Sequence, residues 1–484
     1  MLAAETSALH SSAVKTDVPA RLDRLPWSRF HLLIVVGLGV TWILDGLEVT
    51  IVGALGPALQ SPQTLHLSSE NLGAVASFYV LGAVLGALIS GWATDRLGRR
   101  LIFYATLLVY LAGVLLSACA WNFLSFACFR MLTGLGIGGE YSAVNSAIDE
   151  LIPAKYRGRI DLIVNGSFWL GAAAGAAVTP LLLNPNLLAV NVGWRLGFGI
   201  GGVLGLSILL LRRFVPESPR WLVTHCRSEE AEKTVGDIEA IVAAETGEKL
   251  EPVRTTLTVH PRRSFGLGMI FASMFGEHRA RSLLALTLMV AQSFLYNSVF
   301  FSYGLILAHF YGVPEQRVGF YLLPLALGNF CGPLLLGTWF DTVGRRTMIG
   351  GTFAISGILL LLTALLFGAG LLSEITQTAA WLLIFFFASA AASSAYLTAS
   401  EIFPLETRAL AIACFYALGT AIGGSLSPLL FGWLIGSGSS WMVSIGYAIA
   451  ALLLLVAAVT EWKLGIDAEG RSLEDIASPL SSRS

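Results

Sequence analysis

Charged residues fall in narrow bands along the chain, and the apolar runs between them reach the roughly 20 residues that cross a bilayer as a helix. Set against the charged or turn-rich breaks, these runs predict twelve spans, near 30–55, 71–93, 101–121, 123–150, 160–182, 194–213, 281–310, 317–339, 347–370, 377–400, 409–435 and 441–462. Composition agrees: the 484 residues are 55% hydrophobic and 13% charged, with mean hydropathy +0.73, which places the chain among all-α polytopic membrane proteins. The net charge of −1 singles out no partner class and gives no sign of nucleic-acid binding. Cys119, Cys128, Cys226, Cys331 and Cys414 have neither metal-ligand spacing nor the look of a disulfide framework.

Lysine and arginine set the orientation, because they stay on the cytoplasmic side of short loops. Arg96, Arg99, Arg100, Lys155, Arg157, Arg159, Arg345, Arg346 and Arg408 fall in loops 2–3, 4–5, 8–9 and 10–11, whereas the opposite loops offer little beyond Arg195 and Arg317. Both termini are therefore expected in the cytoplasm and the protein in the cell membrane. Residues 1–29 are a polar tail ending in Arg21, Arg24 and Arg29, without a cleavable signal, since the next apolar segment is a full span. Residues 30–213 and 281–463 form two six-helix halves. Between them, 214–280 is a charged linker with an amphipathic surface helix over Ser228–Ala244, and 464–484 is a second cytoplasmic tail.

The halves repeat one another. Gly91-Trp-Ala-Thr-Asp95-Arg96-Leu-Gly98-Arg99-Arg100 returns as Gly337-Thr-Trp-Phe-Asp341-Thr-Val-Gly344-Arg345-Arg346, each a charged hinge between two apolar spans. Gly98 and Gly344 permit a sharp turn, and Asp95 or Asp341 can pair with the arginines or cap a neighbouring helix. Glu150-x-x-Pro153-x-x-x-Arg157 matches Glu401-x-x-Pro404-x-x-x-Arg408, and Gly171-x3-Gly175-x4-Pro180 matches Gly419-x3-Gly423-x4-Pro428. Duplicated halves place a substrate site at their interface, near mid-bilayer.

Buried charges are the next signal, since each costs about 2.5–3.5 kcal/mol at a helix centre on insertion scales. Asp45 and Glu48 share one face of the first span at i and i+3. At 1.5 Å per residue they lie roughly 22–27 Å from its inner end, and Arg130 lies roughly 14 Å from the outer end of the fourth span, so all three reach comparable depth. Arg130 is their expected counter-charge. A carboxylate that holds its proton when desolvated and yields it when an arginine approaches is a proton carrier that conformation can switch; a permanent ion pair locking spans 1 and 4 is the structural alternative.

The hinge motif resembles the signature loop of the major facilitator superfamily, and its return is what that family's two-halves architecture implies. Val215-Pro216-Glu217-Ser218-Pro219-Arg220-Trp221-Leu222 and Glu401-Ile-Phe-Pro404-Leu-Glu-Thr-Arg408 are similar to sugar-porter signatures. The Asp45-Gly46-Leu-Glu48 form resembles the metabolite–proton symporters, the aromatic-acid symporters and the synaptic-vesicle-protein-like branch. The resemblance implies proton coupling at Glu48 beside Arg130, with Asp45 an extra acid. It also implies substrate contacts at Gln292 and Asn297, although Ala291 stands where sugar porters carry a first glutamine, Asn165 replaces a common glutamine, and Tyr396 follows no Gly-Pro pair. Trp169, Tyr296, Asn329, Tyr396 and Tyr416 are candidates to line a cavity, with helix packing the alternative for each.

Asp95, Arg96, Arg99, Arg100, Glu150, Arg157, Glu217, Arg220, Asp341, Arg345, Arg346, Glu401 and Arg408 are expected to gate the cytoplasmic side. No P-loop, zinc motif or coupled nucleophile and base is present, so neither an enzyme, an ATP-driven pump nor a cofactor is expected. The reading is a monomeric secondary transporter for a small polar metabolite, a sugar or an aromatic or organic acid, coupled to protons. An uncoupled facilitator and a transporter-like sensor without net flux remain as alternatives.

Overall fold

The structure, a computed structural model, describes residues 13–184, 186–212, 215–247, 249–253, 255–261 and 267–482. The first twelve residues of the expected N-terminal tail, the junction at 213–214, parts of the linker and the last two residues lie outside these. Twelve membrane helices follow in order: α1 (Arg29–Ala54), α2 (Ser69–Leu97), α3 (Arg99–Ala118), α4 (Phe123–Leu151), α5 in two segments (Arg157–Gly166 and Phe168–Leu182), α6 (Val190–Arg212), α7 (Arg279–Tyr311), α8 (Glu315–Thr342), α9 (Arg345–Gly368), α10 (Glu374–Glu401), α11 and α12 (Ser440–Leu464). Helix α11 runs from Arg408 to Gly436 with a π turn at Thr420–Gly424 dividing it. Among the described residues, eleven of these helices are long and apolar enough to cross a membrane. The twelfth, α4, carries Arg130, Glu140, Asp149 and Glu150, all buried within the protein. Its polar side chains make it the helix on which the site is built.

Each half has its own apolar core, around Phe126, Trp194 and Phe198 in the first and around Trp381, Phe385 and Tyr447 in the second. The two hinges turn on glycine: Gly98 has φ 97° and Gly344 φ 116°, a region that side-chain-bearing residues rarely adopt. Helices α1 and α5 approach to backbone contact, which small residues allow where no hydrophobic effect drives association. A Cβ on Gly171 would stand 1.7 Å from the carbonyl oxygen of Ile43, and one on Gly46 1.9 Å from that of Phe168.

The first and last described segments lie on one face, called here the terminal face. Residues Val14–Thr16 (β1) pair antiparallel with Leu257–Val259 (β2) of the linker, Val14 opposite Val259. The linker helix Ser228–Thr246 buries Ala231, Val235, Ile238 and Val242 in a cluster with Val18, Leu22 and Trp221. Arg21 and Arg24 both reach Glu239. The C-terminal segment docks on the same layer, Glu406 accepting from Leu480 N (2.9 Å), Ser481 N (3.0 Å) and Ser481 Oγ (2.6 Å). Glu474 pairs with Arg220. Burial alone would push the Glu474 carboxyl up, but the Arg220 guanidinium and Ser472 hydroxyl hold it at about 2. With its folded value depressed, this contact is fully present above the ordinary carboxylate range and is lost only as the pH falls through about 2.

Gly171→Val should force α1 and α5 apart and lower stability by about 1–3 kcal/mol, the usual cost of overpacking. A thermal unfolding midpoint equal to that of the parent protein would show that the helices can separate there without loss.

Candidate functional site

Helix α1 carries Asp45 and Glu48, and α4 brings Arg130 against them. Glu48 and Arg130 form a direct ion pair, both side chains about 3% exposed. The guanidinium lies over the Tyr79 ring at 4.6 Å and faces Phe198 at 5.6 Å, so it is desolvated by aromatic faces as well as neutralised by Glu48. Among the described residues, no arginine pairs with Asp45. Its Oδ2 accepts from the Tyr141 hydroxyl at 2.6 Å and its Oδ1 from Tyr79 at 3.4 Å. Hydroxyl donors stabilise a carboxylate less than a cation does, so the two acids three residues apart sit in different electrostatic settings.

Over Asp45 the halves meet through aromatic rings. Tyr141 of α4 packs on Trp42 of α1 (4.6 Å), Tyr416 of α11 (5.0 Å) and Tyr396 of α10 (6.4 Å). A small cavity opens here, lined by Thr41, Trp42, Asp45, Ile137, Glu140, Tyr141 and Val144. A second ring cluster joins α5 to α7: Trp169 stacks on Phe300 at 5.0 Å and on Tyr296 at 5.8 Å, and the Tyr296 hydroxyl donates to Asn329 at 2.5 Å. Asn165 stands apart from both clusters, giving its amide protons to Asn145 and the carbonyl of Asp161. Asn297 donates to the Ser293 carbonyl, and Gln292 faces the Met289 sulfur at 3.9 Å. The structure thus brings Tyr396 to the acid centre and Trp169 to a neighbouring cluster, while Asn165, Gln292 and Asn297 are engaged on their own helices or their neighbours.

At the terminal face the halves are joined by two buried quartets of charged residues related by the internal repeat. In the first, Arg99 bonds Glu150 (2.7 Å) and Asp95 (3.4 Å), and Arg408 reaches across from the other half to Glu150 (3.4 Å). In the second, Arg345 bonds Asp341 (2.8 Å) and Glu401 (3.0 Å), and Arg157 reaches across to Glu401 (3.7 Å). Each quartet holds two acids and two bases. The carboxylate of Asp95 also accepts the backbone N–H groups of Ala409 (3.2 Å) and Leu410 (2.9 Å) at the start of α11. Asp341 does the same for Gly158 (3.0 Å) and Arg159 (2.9 Å) at the start of α5. Each half therefore caps a helix of the other, where unsatisfied N–H groups and the positive end of the helix dipole favour a carboxylate.

Glu217 accepts from Arg99 N and Arg100 N, and so caps α3. Arg220 joins Asp23 at 2.9 Å and the Glu150 carbonyl at 3.3 Å. Besides Glu217, three of the expected gate residues stay outside the ion pairs found among the described residues: Arg96 lies over Trp92 at 5.3 Å, the Arg100 side chain is exposed, and Arg346 bonds the Trp462 carbonyl. Sequence reasoning passed over Tyr79, Glu140 and Tyr141 at the acid centre and Glu469, which caps Arg345 N at 3.1 Å as Glu217 caps Arg99. Glu140 carried a readable signal, a charge within an apolar span. Glu469 follows Glu217 by 252 residues, one more than the longest offset between the repeated motifs, 251 for Glu150 and Glu401.

Two pseudo-symmetric sets of six membrane helices, joined at one face by buried charge quartets and carrying a buried charge pair between α1 and α4, define a transporter of the major facilitator superfamily, and not an enzyme. The chain belongs to the sugar (and other) transporter family, whose model matches residues 45–478. It is 27% identical over 468 residues to the niacin transporter of Acinetobacter baylyi, covering 95% of this chain and 99% of that one. It is 26% identical over 415 residues to a 4-hydroxybenzoate transporter of Pseudomonas putida, covering 85% and 88%. Among solved structures, a proton:xylose symporter bound to 6-bromo-6-deoxy-D-glucose superposes with a TM-score of 0.76 at 18% identity, over 93% of this chain and 98% of that one. The partially occluded inward-open form of the xylose transporter from E. coli gives 0.63 over 90% and 99%, also at 18% identity.

Asp95→Lys would set a cation against Arg99 and two helix N–H groups. The expected outcome is an opened seal, read as at least several-fold faster labelling by a water-soluble thiol reagent of a cysteine placed at Ala413, which is buried against Gly91. Labelling as slow as in the parent protein would show that the seal does not depend on this cap.

Proposed function

We propose that the protein imports a small ring-bearing metabolite together with a proton by alternating access, with the terminal face in the cytoplasm. The observation that carries this reading is the buried Glu48–Arg130 pair beside an arginine-less Asp45, under rings supplied by both halves. The positive loops all lie on the terminal face, which supports its cytoplasmic placement. With that face sealed, the protein is closed toward the cytoplasm.

Glu48 is the proton-binding group in this reading and Arg130 its switchable partner. When Arg130 stays on Glu48 the acid gives up its proton; when rearrangement of α4 draws the guanidinium away, Glu48 is left desolvated and takes a proton. Asp45 is a second proton site or the counter-charge of a cationic substrate. The loaded centre then moves between states without an isolated charge in a low-dielectric interior.

The rings around Asp45 present flat faces suited to a planar substrate, and relatives of this chain include transporters named for niacin and 4-hydroxybenzoate. An anionic ring entering a centre that already holds Asp45, Glu48 and Glu140 against Arg130 needs a proton to come with it. Aromatic acids are therefore the first substrates to test, with hexoses second, because Gln292 and Asn297 spend their amides within α7.

In proteoliposomes with an alkaline interior, the parent protein should accumulate substrate by about tenfold per unit of pH difference for one coupled proton. Glu48→Gln should abolish this accumulation yet retain exchange of labelled substrate, because only the ion has lost its site. Should Glu48→Gln still concentrate substrate, the proton is carried elsewhere and Asp45 becomes the candidate. If the parent equilibrates substrate without accumulation, the protein is an uncoupled facilitator.

A further inference from the structure

The two quartets of the seal match residue for residue, but the ground between them does not. The repeat that pairs Arg157 with Arg408 also pairs Asp149 with Ser400 and Asp161 with Ile412. The structure confirms the first correspondence: Arg157 Nε donates to the carbonyl of Asp149 at 3.1 Å, and Arg408 Nε to that of Ser400 at 2.6 Å. The first half thus carries two carboxyl groups with no equivalent in the second. Both side chains are fully buried, and none of their four carboxylate oxygens meets a hydrogen-bond donor among the described residues. The nearest donors are committed elsewhere, the Ser400 hydroxyl to the Leu397 carbonyl and the Asn165 amide to Asn145 and the Asp161 carbonyl.

Charge balance makes these groups conspicuous. The groups facing Asp149 are Glu401 of α10, Arg157 of α5 and Arg408 of α11. Those facing Asp161 are Asp149 of α4, Glu401 and Arg345 of α9. All three arginines already answer Asp341, Glu150 or Glu401 within the neutral quartets. Two further ionised carboxylates buried in this interface, near one another and near Glu401, would add like-charge repulsion to an uncompensated desolvation cost. Opening the terminal face would bring water to both.

We propose that Asp149 and Asp161 form a proton-binding site inside the seal, taking up protons as the terminal face closes and releasing them as it opens. It rests on the alternating-access reading above, but its protons are separate from the one at Glu48. Closure then binds protons that the open state has lost, so the sealed state is favoured at low pH on the terminal face and yields as the pH rises. With that face in the cytoplasm, acidification there holds the protein sealed and slows further delivery of substrate and protons.

The test uses spin labels at exposed Lys155 and Thr342, which flank the seal on opposite halves. They are placed in full-length protein freed of its native cysteines and carrying Asp45→Asn and Glu48→Gln, so that the proton sites proposed above do not titrate. Between about pH 5.5 and 8.5 the ratio of short to long interlabel distances should fall by up to tenfold per pH unit for each linked carboxyl. Asp149→Ser with Asp161→Ile, the residues of the second half, should hold the short distance at every pH. Should that double variant fail to fold, Asp149→Asn and Asp161→Asn singly should each lower the slope by one proton. A ratio independent of pH in the parent, or a dependence unchanged by these substitutions, overturns the proposal, and either result leaves the accumulation test at Glu48 standing on its own.

Discussion

A carboxylate removed from water has to be met by N–H groups or by cations, and on the terminal face much of what meets it comes from the opposite half of the molecule. Asp95 of α2 closes the exposed start of α11, and Asp341 of α8 closes the exposed start of α5. Arg408 and Arg157 cross the same interface in the reverse sense. Removing one member of such a buried set leaves an uncompensated charge and costs about 3–5 kcal/mol, whereas separating the halves in water rehydrates every member together. The arrangement is therefore stable as a whole, costly to damage and cheap to open, which is what a reversible seal requires.

The acid centre higher in the bundle obeys the same rule with fewer partners. Glu48 has one arginine, Asp45 has two tyrosine hydroxyls, and Glu140 lies on the wall of the same small cavity. Helix α4 links the two layers, with Arg130 at the centre and Asp149 and Glu150 in the seal on one continuous helix. A tilt or turn of α4 that loosens one set must move the other. Helices α5 and α11 behave differently: each is interrupted, at Ser167 and at Thr420–Gly424, just beyond the segment that the opposite half caps. Their inner segments can follow the seal while their outer segments keep to their own half.

Much of this was legible in the sequence because it rests on strong physical signals. Twenty-residue apolar runs have few other readings, and the charged hinges, the Pro153 and Pro404 motifs and the glycine spacings declare a duplication. The depth of Glu48 and Arg130 could be counted from helix rise, and the pair is found. The ring clusters were harder, since an aromatic residue in an apolar helix is most often packing: Tyr141 and Tyr79 carried no periodicity of their own. Asn165, Gln292 and Asn297 illustrate the opposite limit, because an amide in a membrane helix can turn onto its own backbone or a neighbour, a choice set by local geometry. Asp149 was hidden by Glu150, whose motif explained the charge at that helix end, and Asp161 by its place four residues after Arg157. Strands of three residues, such as β1 and β2, leave no pattern to read.

The pairing of β1 with β2 bears on how the protein is made. Val14 leaves the ribosome first, but its partner Val259 is synthesised only after six membrane helices have followed. Until then the N-terminal strand has no edge to join, and the cluster of Val18, Leu22 and Trp221 is incomplete. Leu480 and Ser481, which dock on Glu406 and place the Ser481 carbonyl on His260 N, follow only after the twelfth membrane helix. Chain order therefore imposes a sequence of assembly: the first bundle inserts, the linker gathers the waiting N-terminal strand beneath it, and the final segment closes over the joined halves once both are in the bilayer.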